Sequence, residues 1–538
     1  MTEEDSISKQ FKEHSIAEFF KKNRQMLGFS GKVRSLTIVI HELVTNSLDA
    51  CEEAGIMPEV TVKIEELGEE HYRVTVKDNG PGIPKTHVGK ALGQMLAVTK
   101  FHRYIQQRGQ QGIGSSGCTM FSYITTGQTT RAASCYKGIK MELEIGIDFK
   151  KNRPIITEIS EGPTEEHGLT VISEYKEVKY EKSSKGVLEY LRRTALANPH
   201  GTFVLIEPTG EIVTFPRAVE KIPKKPIEIK PHPLGIGPHD LLELCKHQSG
   251  FRKLSALLQN AFSRVSANKV AELRELVKEV DLDVNPTEMT WEQAEKVVNG
   301  FKQVKWIAPP MDALVPIERE QIEASLRSIF NPESMVVTER SPKVYRGGIP
   351  FIIEAAVAYG GGIKDAGKKG EIMRFANRVP LMFDTSGCAI TETLKNVEWK
   401  RYGITDFEEE PIAVLVNLVS VHVPYTSAGK QAISPEEDVM NEIKFAVMEA
   451  ARGVQRYLSG KRRAIETANK RKLVMKYIDQ LSSDLGYLSG KKAEDIKKKL
   501  ERIIEEKYVS AEDAEEAEEE VAAMENGNSK TEKEDIDE

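Results

Sequence analysis

Three short stretches combine residue types and spacings that could do chemistry. In HELVTNSLDACEEAG (residues 41–55), Glu42, Asn46 and Asp49 stand at i, i+4 and i+7. On a helix they share one face, while Ile38, Leu43, Val44 and Leu48 can pack inward. That face is either a polar cluster turned to a ligand or simply a solvated surface. In KDNGPGIPK (77–85), Asp78 ends an alternating run and is followed by Gly80 and Gly82. Two glycines two apart let the backbone approach a flat ligand, and a carboxylate there can accept a bond from an exocyclic amine such as adenine's. The same letters also suit a plain hairpin turn. In RGQQGIGSSG (108–117), Gly109, Gly112, Gly114 and Gly117 put several bare amides in one loop before a helix. Such a loop cradles an anion, or is only flexible.

The elements that must position these residues are mixed. Leu36 to Cys51 has a helical pattern, and VTVKI (60–64) and YRVTV (72–76) alternate with period two, as strands do. Helix, antiparallel-looking strands and Gly-rich loops predict an α+β multidomain chain. Seven of the 24 prolines fall from Pro208 to Pro238 and mark a connector. A helical block follows from about Asp240 to Lys305, and a second punctuation at Pro309, Pro310 and Pro316. Further on, Ser434, Pro435 and Glu437 predict a capped helix over Glu436 to about Tyr457. A basic helical stretch runs on from Lys461 to about Lys507. The run Gly362–Lys369 nearly fits a P-loop, but Lys369 stands where Ser or Thr would bind Mg²⁺, so it reads as a basic turn.

Composition bounds the rest. The 538 residues suffice for about three or four domains. No apolar run reaches the ~18 residues of a membrane span, and MTEEDSISKQ lacks a secretory pattern. Five scattered cysteines make neither a disulfide framework nor a zinc ribbon, which suits a reducing, intracellular setting. The net charge of −7 hides an asymmetry. Ala511–Glu538 carries 13 acidic and 2 basic residues, which leaves +4 on the other 510. That balance permits nucleic-acid binding without demanding it. The tail is predicted to be disordered.

Taken in order, Glu42–Asn46, Asp78–Gly80–Gly82 and Gly109–Gly117 resemble the GHKL ATPases, whose pattern is Glu-x-x-x-Asn, Asp-x-Gly-x-Gly and a glycine-rich lid. EHSIAEFFKKNRQMLGF, KFHRYIQQRGQQGIG, YLRRTALANPHGTF, RFANRVPLMFD and EIKFAVMEAARGVQRYLS narrow this: they resemble the B subunits of topoisomerase VI, archaeal type IIB DNA topoisomerases, over most of residues 13–460. The resemblance implies a GHKL (Bergerat) α/β-sandwich ATPase domain at 35–228 behind an N-terminal strap at 1–34. It also implies a small helix-two-turns-helix domain at 229–306 and a βαββ transducer with a long C-terminal helix at 307–470. A helical stretch at 471–510 and the acidic tail at 511–538 close the chain.

For the site, the resemblance implies Glu42 as general base, Asn46 as Mg²⁺ ligand, Asp78 as adenine reader and Lys430 as the transducer lysine at the γ-phosphate. ATP binding would involve Asn46, Asp78, Gly80, Gly82, Thr99, Lys100, Gly109, Gln110, Gln111, Gly112, Ile113, Gly114, Ser115 and Thr170, with Thr202 the alternative to Thr170. ATP and Mg²⁺ are the implied cofactors. A separate A subunit, which would cut the DNA, completes an A2B2 heterotetramer on double-stranded DNA. The B chains would self-associate on ATP binding, in the cytoplasm at the nucleoid and away from membranes. Three rivals stand beside this. One is another GHKL ATPase of the MutL or chaperone kind, which the helical insert and the SIAEFF strap disfavour. Another is a non-catalytic DNA-binding scaffold built on 240–305, and the last is a meiotic homologue with a degenerate site. The intact Glu42–Asn46–Asp78 set counts against both.

Overall fold

The computed structural model describes residues 18–19, 22–95, 104–109, 113–247, 250–307, 309–310, 312–365, 370–427 and 429–508. Thr99, Lys100, Gln110, Gln111, Gly112, most of the strap and the acidic tail lie outside them.

The chain forms two compact units. The first comprises Met1–Val397 with Glu408–Ala450; the second comprises Glu398–Phe407 with Ala451–Glu538. In the first unit, helix α1 (Lys32–Ala54) is followed by strands β1 (Glu59–Gly68) and β2 (His71–Asp78) and helices α2 (Lys85–Gly93) and α3 (Gly114–Thr126). Then come β3 (Thr130–Tyr136), β4 (Ile139–Asp148), β5 (Arg153–Pro163), β6 (Gly168–Lys176), α4 (Val187–Ala197), β7 (Thr202–Ile206) and β8 (Ile212–Phe215). The eight strands make one sheet in the order β5-β4-β3-β6-β2-β1-β7-β8. Every pairing is antiparallel except β1 with β7. The period-two strands bury one side: Tyr72, Val74, Val76 and Asp78 of β2 point to the face on which α1, α3 and α4 pack. Leu36, Val44 and Leu48 anchor α1 in that core. The helix stops at Gly55, in the left-handed region at φ 72.

The Pro-rich connector leads to four helices, α5 (Pro238–His247), α6 (Leu254–Ala261), α7 (Ala267–Leu276) and α8 (Trp291–Phe301), around a core of their own that includes Leu241, Leu257, Val297 and Phe301. A capping box between Thr290 and Gln293 starts α8. Helix α9 (Arg319–Phe330) then precedes β9 (Ser334–Glu339), β10 (Lys343–Tyr345), β11 (Ile349–Tyr359), β12 (Glu371–Ala376), β13 (Val379–Pro380), α10 (Ala389–Lys395) and β14 (Ile412–Ser420). The second sheet runs β10-β11-β14-β12-β13, with β9 also pairing β11. Strands β11 and β14 are buried along almost their whole length, as strands covered on both faces are.

Helix α11 (Glu437–Lys476) starts in the first unit and continues in the second. Two sequence expectations change here. The helix begins at Glu437 rather than at a Ser434 cap. The Ser434 amide donates to the Pro424 carbonyl at 2.6 Å, and the Tyr425–Ile433 bridge keeps the chain in a loop up to that point. It also runs past Tyr457 and Gly460 to Lys476, since one interior glycine costs only about 1 kcal/mol. In the second unit, α12 (Ile478–Ser489) and α13 (Ala493–Tyr508) pack together after the turn at Gly490. Trp399 lies 4.9 Å from Phe407 there. Among the described residues no helix is long and apolar enough to cross a membrane. All five cysteines are buried and unpaired.

The second sheet buries a titratable group. Glu354 of β11, fully buried, accepts from the amides of Ile317 (3.0 Å) and Glu318 (2.8 Å) and from Asn417 Nδ2 (2.7 Å). Burial nevertheless pushes its pKa up to about 7. The folded state therefore holds this proton where the unfolded chain, at about 4.3, releases it. The associated stability is full below that value and is lost as pH rises to about 7, a change of order 3 kcal/mol. Glu354→Gln is expected to flatten the fall in unfolding temperature across this window. Thermal unfolding of both proteins between about pH 4.5 and 7 measures it.

Candidate active site

The site is laid along α1. Glu42 is one-third exposed on that helix, Asn46 is exposed one turn on, and Ser47 is buried on the other side. A Cβ added to Gly114, the first residue of α3, would meet Glu42 Oε2 at 1.9 Å, so glycine lets α3 start against this carboxylate without displacing it. Ile113 caps α3 with no side-chain bond, and among the described residues none caps its first amides, which suits an anion there. Lys430, on the loop between β14 and α11, lies within electrostatic range of Glu42 and Asp49. Burial lowers its pKa, and the carboxylates of Glu42 and Asp49 oppose that shift. The pKa of His41 is likewise lowered, first by burial, with Glu42 opposing and Lys430 reinforcing. His41, Glu42 and Lys430 thus form one electrostatic cluster. Lys430 holds a left-handed φ of 51°, which costs a non-glycine residue on the order of 1 kcal/mol or more.

Asp78 closes the other end. Its carboxylate is buried and accepts Ser47 Oγ (2.8 Å) on Oδ2, and the amides of Gly80 (3.0 Å) and Leu169 (3.0 Å) on Oδ1. Burial raises its pKa while these three bonds oppose. Two neighbouring glycines are needed for close approach. A Cβ on Gly82 (φ 71) would sit 2.2 Å from the Cys135 carbonyl oxygen, and one on Gly168 (φ 112) 2.0 Å from that of Asp78. Asn79 locks the turn, donating to Met57 O (2.9 Å) and accepting the Glu59 amide (2.8 Å).

Of the residues named from sequence, Glu42 and Gly114 meet, Asn46 stands one turn further along α1, Lys430 lies within electrostatic range of Glu42, and Asp78, Gly80 and Gly82 form the far end. A Cβ added to Gly109 would meet nothing within 4 Å among the described residues. Ser115 gives its hydroxyl to the Ala91 carbonyl (2.8 Å), and Ile113 packs near Met95 and Met120. Thr170 is a correction. It pairs with Lys77 and Ala133, on the face opposite Asp78, and it is the backbone of Leu169 that reaches the carboxylate. Thr202, the alternative, accepts from Arg217 at the start of β7. Asp49 does not extend the Glu42–Asn46 face freely but binds Arg108 Nη1 at 2.7 Å. The role of Ser47 was missed. It is four residues before Cys51, which bonds Asn79, so the two mark a second face of the helix that spacing alone could have flagged.

A buried ion network lies beyond Asp49. Glu52 accepts Arg108 Nη2 (2.5 Å), His200 Nε2 (2.8 Å) and Arg378 Nη2 (3.0 Å). Burial would raise the Glu52 pKa, but the two guanidinium groups and His200 hold it well below the usual range. A cavity of about 390 Å³ opens beside the network, lined by Asp49, Arg108, Lys224, Lys225 and Arg378.

Residues 31–150, which carry Glu42, Asn46, Asp78 and Gly114, match the family described as histidine kinase-, DNA gyrase B-, and HSP90-like ATPase; this part of the chain is a GHKL-class ATPase domain. Residues 309–470 match the family described as topoisomerase VI B subunit, transducer. The B subunit of type 2 DNA topoisomerase 6 from Pyrococcus horikoshii is 44% identical over 94% of this chain and 97% of its own length. Its counterpart from Methanothermobacter thermautotrophicus is 44% identical over 93% and 96%. Among solved structures, the 43K ATPase domain of Thermus thermophilus gyrase B in complex with an aminocoumarin is 13% identical, with a TM-score of 0.40 over 85% of this chain and 98% of that one. The chain belongs to the family of topoisomerase VI B subunits, components of an ATP-dependent type II DNA topoisomerase.

Proposed function

We propose that ATP binds along α1 with its adenine at Asp78 and its phosphates between Gly114, Asn46 and Lys430, and that its hydrolysis drives a DNA gate. What supports this is the start of α3 set against Glu42, with Lys430 in electrostatic range of that carboxylate and Asp78 at the other end. Glu42 takes the proton of the attacking water. Lys430 places positive charge at the γ-phosphate, and the amides opening α3 hold the oxygens. Asn46 offers an exposed amide oxygen, a hard donor suited to Mg²⁺ shared with a nucleotide. When bound, Mg²⁺ supplies neutralisation of phosphate charge.

In this reading 1–34 is a strap that helps two B chains pair on ATP, 35–228 the ATPase domain, 229–306 the helix-two-turns-helix domain and 307–470 the transducer. The helices of 471–510 lie towards the A subunits of an A2B2 heterotetramer at the nucleoid, and 511–538 is an acidic tail. Double-stranded DNA passes through the break made by the A subunits, held by phosphate contacts rather than base reading. The test mixes the chain with its A subunit, ATP, Mg²⁺ and supercoiled DNA. ATP-dependent relaxation that fails to turn over with Glu42→Ala is the expected outcome. Equal relaxation by both proteins removes Glu42 as the base. No relaxation by either, with ATP hydrolysis intact, removes the proposed coupling of hydrolysis to the gate.

A further inference from the structure

We propose that Arg378 is a positioning residue for ATP hydrolysis: it seats the transducer on α1 so that Lys430 meets the γ-phosphate. This rests on the role given to Lys430 above. Arg378 and Asn377 form the turn between β12 and β13, both with left-handed φ, 66° and 49°. Two such residues favour Asn-Gly, and an arginine in the second place is strained by roughly 1–3 kcal/mol. Surrounding bonds force the conformation. Asn377 Nδ2 donates to the Gln107 carbonyl (3.1 Å), the Arg378 amide donates to Asn417 Oδ1 (3.2 Å), and the Arg378 carbonyl accepts Asn198 Nδ2 (3.1 Å). What the strain secures is the guanidinium on Glu52 at 3.0 Å, with both side chains largely buried.

Stability alone explains this poorly. A buried pair often does no better than an apolar one of the same volume. Here, moreover, Arg108 Nε, Arg378 Nε and Gln107 Oε1 are buried with no hydrogen-bond partner among the described residues. The geometry offers another reason. Glu52 stands on the helix that carries Glu42, about 15 Å along its axis. The segment that follows β13 grips the other end of α1, where Arg34 binds Asp384 through both terminal nitrogens at 2.9 and 3.2 Å. That pair is more exposed, and such pairs contribute about 0–1 kcal/mol. The buried Arg378 end is therefore the one that fixes the register. Lys430 is next to Gln431, whose Oε1 accepts from the Met382 and Phe383 amides (3.1 and 3.2 Å), so its loop is tied to the segment between the two grips, within electrostatic range of Glu42.

The test measures ATP hydrolysis per nucleotide-binding site by the full chain with its A subunit and DNA, so that loss of folded protein does not count. Arg378→Met is expected to lower kcat about a hundredfold, as a misplacement of about 1 Å can. KM for ATP should stay within about twofold, since Asp78 is untouched. Arg378→Lys, which keeps the charge, should recover much of the loss. The decisive comparison is with Lys430→Ala: adding Arg378→Met to it should change kcat by less than about twofold, because both remove the same contact. Losses that multiply, or a KM that rises as far as kcat falls, overturn the proposal and leave Lys430 in place. An unchanged kcat in Lys430→Ala alone removes the Lys430 reading, and this inference with it.

Discussion

Glu42→Gln is expected to bind ATP and fail to hydrolyse it, with kcat reduced about 10²–10⁴-fold, the range spanned by a positioned general base. The substitution is chosen for shape. Gly114 lies directly against the Glu42 carboxylate, so a side chain of equal size keeps α3 seated, whereas alanine would open space there. Glutamine can still hold a water by hydrogen bonding but cannot take its proton. Binding should be spared because the adenine end rests on Asp78, Gly80 and Gly82, away from this residue. Steady-state phosphate release and a nucleotide titration on the same sample separate the two quantities. An affinity that falls as far as kcat would make Glu42 a binding residue, and an unchanged kcat would give the proton to another group.

How much of this was readable beforehand depends on the range of the interaction. Local periodicity found α1, β1 and β2, because burial of Leu36, Val44 and Val76 repeats with the period of the element itself. Glu42 and Asp78 followed from spacing within a few residues and from the resemblance. The Glu52 network had no such trace. Its partners lie 56, 148 and 326 residues away from Glu52, and of the two residues that must bend left only Asn377 is of a type that favours such a turn. Thr170 failed for a related reason. Alternation says that successive residues of a strand change face, but the pairing register with β2 decides which face is which, and that is a tertiary fact. The start of α11 was displaced in the same way: the Ser434 pattern was locally sound, yet the Tyr425–Ile433 bridge around Lys430 claimed that segment first.

Asp78→Asn should leave the fold standing and remove adenine recognition. A carboxylate offers about four acceptor positions. Three are filled, by the Ser47 hydroxyl and by the amides of Gly80 and Leu169, so about one remains for an exocyclic amine. In the asparagine variant the amide oxygen can keep both backbone donors. The Ser47 hydroxyl, which can turn, can accept from the new NH2 group. What is lost is the free acceptor, since an N–H now faces the N–H of the base. A site that leaves such a group unpaired discriminates by several kcal/mol, so ATP affinity should fall about 10²–10³-fold. The unfolding temperature should move by only a few degrees, roughly 1 kcal/mol. A purine nucleotide carrying a carbonyl in place of the amine supplies the control. It can accept from the asparagine, so the variant should narrow or reverse the wild-type preference for ATP over it. A parallel loss for both nucleotides would mean that the substitution damaged the pocket as a whole and that Asp78 does not read the base.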